Sequence, residues 1–304
     1  MEASSGEYTL PPSTYSSEDI IFCIDTHNEC LREMKAKGAE GQAFTRLDAI
    51  KQSILLFITS KLTINSDHRF AFCALGNSPF WLQKEFSNTP ESALASFRKI
   101  TPHSSSDQAD LTQLFRAAAH EAKRSRAQNR ILRLILIYCR SSVPPHHKWP
   151  ATQKLFTLDA MYLHDKPGAE NCPQKVYDAL VDTIEEVSEY EGYVFESGEG
   201  LPRILFRNMC VLLSHPQQRC IQDDIDIPKS LPKKSAAVEI TAGGENVPSS
   251  SQELSGAQEE HNEADRRGVG SYLEMAKEVA AEAFEEGYAA CLRKLAEAGA
   301  NFSG

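Results

Sequence analysis

Apolar positions over the first 220 residues fall into two alternating rhythms. Short unbroken apolar runs predict buried strands at residues 20–24, 69–75, 131–138 and 155–163. The run 131–138 is apolar on both faces apart from Arg133, as a central parallel strand requires. Between these runs, three-to-four spacing predicts helices. Leu47, Ile50, Ile54, Ile58 and Leu62 mark one over 45–62, with Thr45 as N-cap and Asp48 at the third helical position. Leu111, Leu114, Phe115, Ala118 and Ala119 mark another over 110–123. Val176, Leu180, Ile184 and Val187 mark a third over 172–187, opened by Asn171. A strongly apolar helix over 201–213 ends at Ser214-His215-Pro216, and Thr89-Pro90-Glu91 opens a further one. Gly76-Asn77 closes the 69–75 run, so the short run 80–82 fits an antiparallel hairpin partner, and 193–195 fits a last edge strand. Strands separated by helices predict an α/β fold with a mostly parallel sheet covered on both faces.

The pattern divides the 304 residues into four parts. Residues 1–18, rich in Ser, Pro and Tyr, read as a flexible leader without the features of a secretory signal. Residues 19–220 form the α/β domain, and 221–267 read as a disordered acidic linker. An amphipathic helix is expected over 268–298, where Val269, Tyr272, Ala276, Val279, Ala283, Tyr288, Leu292 and Leu295 recur near helical spacing. The net charge of −10 argues against a dedicated nucleic-acid binder, and the longest apolar runs are too short to span a bilayer. Eight cysteines include no Cys-x-x-Cys pair, and Cys23, Cys73 and Cys139 sit in apolar runs, which predicts free thiols in a reducing compartment, nucleus and cytoplasm. No Gly-x-Ser-x-Gly, His-Glu-x-x-His or dinucleotide glycine motif occurs, so no enzyme class is predicted.

Candidate chemistry concentrates where the first apolar run ends on Asp25, with His27 and Glu29 at the next alternate positions. A strand ending on Asp at a polar loop resembles the opening of a von Willebrand A domain, whose Asp-x-Ser-x-Ser motif begins a magnesium site. The resemblance implies a further Thr before a main helix and an Asp after the central strand. Here His27 and Glu29 fill the Ser positions, no Thr occurs at 107–109, and Cys139 of Tyr138-Cys139-Arg140 fills the Asp position. Asp25, His27, Glu29 and Cys139 are therefore expected to be remnants of a metal site, with no metal or other cofactor bound. Two rival expectations are a live metal-dependent ligand-binding domain and a transition metal held by Asp25, His27 and Glu29. Lys123-Arg124-Ser125-Arg126 with Arg130 and Arg133 reads as a solvated basic helix end, and His146-His147 as a plain loop.

A more specific resemblance rests on Leu212-Leu213-Ser214-His215-Pro216-Gln217-Gln218-Arg219-Cys220, on Tyr162-Leu163-His164 after Asp159-Ala160-Met161, and on the strand that leads to Arg140. These segments resemble the von Willebrand A-like subunit shared by the BRISC and BRCA A deubiquitinase complexes. The resemblance implies a non-catalytic scaffold that binds a ubiquitin-conjugating-enzyme-like subunit. It also implies that the scaffold stabilises an assembly whose metalloprotease subunit cleaves non-degradative, lysine-linked ubiquitin chains, with a role in the DNA damage response. No direct nucleic-acid or membrane partner is implied. Met209, Leu212, Leu213, His215, Pro216 and Arg219, on or just after the apolar helix, are the expected partner contacts.

Overall fold

A computed structural model describes residues 15–37, 42–102, 108–169 and 171–225. The expected helix at 268–298, nearly all of the 221–267 linker and residues 1–14 of the leader lie outside the described residues.

The main sheet has six strands: β1 (Glu18–Asp25), β4 (Arg69–Leu75), β5 (Pro79–Ser87), β6 (Ile131–Tyr138), β7 (Thr157–Leu163) and β8 (Val194–Ser197), in the order β5-β4-β1-β6-β7-β8. All neighbours run parallel except β4 and β5, which form the antiparallel hairpin. The strand order reverses at β1, so the crevice beyond the C-terminal ends of β1 and β6 is where this topology places a ligand. Asp25 is the last residue of β1 and looks into that crevice.

Among the described residues five helices cover the sheet: α1 (Arg46–Ile64), α2 (Pro90–Phe97), α3 (Thr112–Arg126), α4 (Pro173–Val187) and α5 (Pro202–Val211). Alternation along β1 sends Ile20, Phe22 and Ile24 to one core with α1, α2 and α5. Ile21 and Cys23 face the other core, shared with α3 and α4. Phe22 packs edge-on against Phe57 of α1, with ring centroids 5.4 Å apart, and stacks on Phe72 at 6.0 Å. Thr45 caps α1 as expected: its hydroxyl accepts from the Asp48 amide at 3.2 Å, and the Asp48 carboxylate accepts from the Thr45 amide at 2.9 Å.

Several boundaries differ from the sequence reading. Helix α3 starts at Thr112 rather than 110, because the Asp110 carboxylate accepts the Thr112 amide in a turn before the helix. Cys172, not Asn171, takes the N-cap position of α4, without a side-chain capping bond, and Asn171 Nδ2 instead donates to the Lys166 carbonyl. The leader ends earlier than residue 18: Glu18 opens β1 fully buried, and the Ser17 carbonyl accepts the Ile131 amide. At the other end, order continues past 220, where the Gln222 side chain bonds both the amide and the carbonyl of Val194 at 2.7 Å. A small antiparallel pair, β2 (Glu33–Lys37) with β3 (Ala43–Thr45), has no counterpart in the pattern reading, because only Met34 and Phe44 of it are buried.

Candidate functional site

The Asp25 carboxylate is fully buried and accepts hydrogen bonds from four donors. The His27 amide reaches Oδ1 at 3.1 Å, and the Cys139 amide reaches Oδ2 at 3.1 Å. Arg140 supplies Nε to Oδ2 and Nη2 to Oδ1, each at 3.1 Å, a side-on bidentate pair. The same guanidinium donates Nη1 to the Gln108 carbonyl and Nη2 to the Gly76 carbonyl, both at 2.6 Å. One side chain thus joins the loops after β1, after β4, after β6 and before α3. Burial disfavours the Arg140 charge, but the Asp25 carboxylate and its hydrogen bonds outweigh that and raise the Arg140 pKa.

Glu29 and His27 do not converge on Asp25. The Glu29 carboxylate accepts the Ser141 amide at 3.0 Å and the Ser141 hydroxyl. His27 Nδ1 accepts the Glu29 amide at 3.3 Å and so serves as a turn acceptor, and burial lowers the His27 pKa against the pull of Asp25 and Glu29. Beneath them Arg46, at the start of α1, donates Nη2 to Asp165 at 2.6 Å and to the His164 carbonyl at 2.8 Å. Burial, followed by the charge of Asp25, pushes the Cys139 thiol well above its usual value.

These residues do not fit a magnesium ion. The oxygens of Asp25 carry a permanent cation, Glu29 is committed to Ser141, and Thr112 Oγ1 accepts the Lys148 amide at 3.0 Å. The rival transition-metal triad is not assembled either: among the described residues no group of three His, Cys, Asp or Glu side chains is placed to hold a metal.

The partner contacts expected after the apolar helix need correction. Met209 and Leu212 lie in the core shared with α1, and Pro216 is buried as well. The Arg219 side chain is fully enclosed, donating Nη1 to Asp159 Oδ1 at 2.6 Å and Nη2 to Oδ2 at 3.1 Å, with its guanidinium 4.4 Å from the Tyr193 ring. His215 bonds the Ser16 carbonyl at 2.9 Å and packs on Tyr15. Of the six, Leu213 keeps apolar surface toward solvent, being only partly buried.

Arg219 belongs to a buried ionic cluster at the N-terminal end of the strands, opposite Asp25. Glu18 accepts from Lys61 Nζ and from Arg133 Nη1 at 3.3 Å, and Arg133 Nε donates to Asp159 at 2.6 Å. Burial opposes both carboxylates, yet the facing cations hold Glu18 and Asp159 at about 2. Asp19 is clasped next to it by Arg69, Arg130 and Ser125. The basic stretch read around Arg133 is therefore not one surface: Arg124 and Arg126 are exposed, while Arg130 and Arg133 are drawn inward by acids. Arg133 as the one polar residue of a central strand was the sequence signal; its partners are distant in sequence and carried none.

The chain is similar to BRISC and BRCA1-A complex member 1. The relative from Xenopus laevis is 23% identical over 225 residues, covering 69% of this chain and 67% of that protein. The relative from Homo sapiens is 23% identical over 247 residues, covering 76% and 73% respectively. No family model matches. Among solved structures, the SpRpn10 VWA domain is 14% identical, covers 68% of this chain and 99% of that one, and superposes with a TM-score of 0.46. The von Willebrand A-like assignment rests on the sheet itself, with its reversal at β1, its antiparallel β5 and its Asp at the first strand end. The expected resemblance to the BRISC and BRCA1-A subunit holds.

Proposed function

We propose that this chain is a non-catalytic scaffold subunit of a BRISC or BRCA1-A type deubiquitinase assembly. It binds a ubiquitin-conjugating-enzyme-like subunit and supports a separate metalloprotease acting on non-degradative, lysine-linked ubiquitin chains. The proposed setting is nucleus and cytoplasm, with a role in the DNA damage response. The observation that carries the non-catalytic part is the Asp25–Arg140 pair: the carboxylate that would begin a metal site is filled by a guanidinium from its own chain. Asp25, His27, Glu29 and Cys139 then serve as a loop staple, a degenerate descendant of a cation site. The similarity to complex members supports the subunit reading.

Affinity purification of the tagged full chain from its own cells tests this. A metalloprotease and a ubiquitin-conjugating-like protein should co-purify in stoichiometric amounts, and recovery of neither would sink the proposal. Magnesium or manganese titration tests the alternative, a metal-dependent ligand-binding domain. The melting temperature should stay unchanged to millimolar ion, whereas a saturable rise would favour the alternative.

A further inference from the structure

The buried ionic cluster at the N-terminal end of the strands carries more positive charge than it neutralises. Lys61, Arg133 and Arg219 face Glu18 and Asp159, and except for a trace of Lys61 none of these side chains has exposed surface. Among the described residues no further carboxylate pairs with the three cations. The neighbouring Asp19 does not make up the difference, because Arg69 and Arg130 both pair with it. His68 and His215 approach Glu18 and bring no negative charge. The excess is felt inside the cluster: burial, with Arg133 and Arg219 adding to it, brings the Lys61 pKa down to about 8 against the pull of Glu18.

Two donors of the same cluster are left over. Arg133 Nη2 and Arg219 Nε are buried, and among the described residues neither has a hydrogen-bond partner. Covalent geometry relates them. Nε and Nη2 lie on one edge of a guanidinium and point their N–H bonds the same way, the edge that Arg140 turns fully to Asp25. Arg133 gives the Nε half of that edge to Asp159 Oδ2 at 2.6 Å. Arg219 gives the Nη2 half to the same oxygen at 3.1 Å. Both guanidinium groups therefore hold Asp159 Oδ2 with half of this edge and leave the other half without an acceptor. The Phe57 and Tyr193 rings, centred 5.6 and 4.4 Å from the guanidinium carbons of Arg133 and Arg219, wall the site with carbon and supply no lone pair.

These observations select a small monovalent anion. The two N–H groups need an acceptor, and an excess cation in a dry site needs a negative charge. Water supplies the first and not the second. A phosphate or carboxylate supplies both but adds oxygens that Phe57 and Tyr193 cannot satisfy. We propose that a chloride-sized halide binds between Arg133 Nη2 and Arg219 Nε, offsets the extra cation, and ties the segment after α5 to strands β6 and β7. Binding of the ion does not depend on membership in any complex.

Melting of the full-length chain at constant ionic strength tests it, with sodium gluconate replaced stepwise by sodium chloride. The midpoint should rise along a one-site saturation curve, by about 3–6 °C at ten times the half-saturating concentration, and bromide should substitute for chloride. Arg219→Gln removes one cation and one of the two spare donors and should abolish the chloride-dependent rise. Crystals grown in sodium bromide give a readout that needs no variant: an anomalous peak should lie within hydrogen-bonding reach of both nitrogens. If Arg219→Gln fails to fold, that peak decides alone. Three results would overturn the proposal. A midpoint indifferent to the anion would assign the two donors to water. A rise that does not saturate, or that survives Arg219→Gln, would be a general salt effect or another site. Bromide peaks confined to the surface would show that no ion enters the cluster.

Discussion

Arg140 against Asp25 matters most for what its removal would leave behind. A buried pair gains little over two apolar side chains, but one partner alone is an uncompensated charge in a dry site. Arg140→Ala should therefore cost about 3–5 kcal/mol, read as a lower urea midpoint with an unchanged slope. Arg140→Lys should fall between, since an ammonium keeps the charge and loses the fork that reaches Gly76 and Gln108. If Arg140→Ala were as stable as the parent chain, the carboxylate would have to be engaged by something else. Thr45→Ala probes an ordinary contribution by comparison. It deletes the cap of α1 and should cost about 1 kcal/mol in the same experiment. Asp25 was visible in the sequence as the polar end of an apolar run, and Arg140 as the end of the segment after the central strand. Their union was not, because 115 positions separate them and only the parallel pairing of β1 with β6 makes them neighbours.

Among the elements, those carrying a full apolar stripe or run were legible. The central strand β6 occurs at residues 131–138 as expected, and α1 differs only by two residues at its C-terminus. The β2–β3 pair escaped because two buried side chains do not make a period. Helix α5 was legible as an element but misleading as a surface. Its excess of apolar residues fills the cleft against α1, where Leu205, Met209 and Leu212 sit in the core, so little remains for a partner. The segment after α5 acts as a strap, held by Arg219 on Asp159 and Gln222 on Val194. Gln222→Ala removes two hydrogen bonds at the β8 edge and should cost about 1–3 kcal/mol. It should also speed amide exchange at Val194 well beyond any change in β6. Equal exchange in parent and variant would mean the strap is not what protects that edge.

Among the described residues the ionic work gathers at the two ends of one sheet: the Asp25–Arg140 and Arg46–Asp165 pairs at the C-terminal end, a crowded cluster at the N-terminal end. That cluster sets the response to acid. Burial, helped by Lys61, depresses the His68 pKa to about 4, so the unfolded chain takes up this proton first and stability declines as pH falls from about 6.5 toward 4. Glu18 and Asp159, held at about 2, extend the loss: their contribution is intact above about pH 4.5 and disappears as pH approaches 2. Denaturant midpoints measured from pH 7 to 3 should fall in these two overlapping stages. His68→Asn, which keeps an acceptor for the Glu18 amide, should shrink the first stage without abolishing it, because burial also lowers the His27, His147 and His215 pKa values, and should leave the second. A dissociable ion makes a loop answerable to its surroundings, because supply, chelation and competition all change its occupancy. Arg140 is synthesised with the chain and cannot diffuse away. The geometry of the Asp25 loop is therefore settled once, at folding, and stays the same whatever the ionic history of its surroundings.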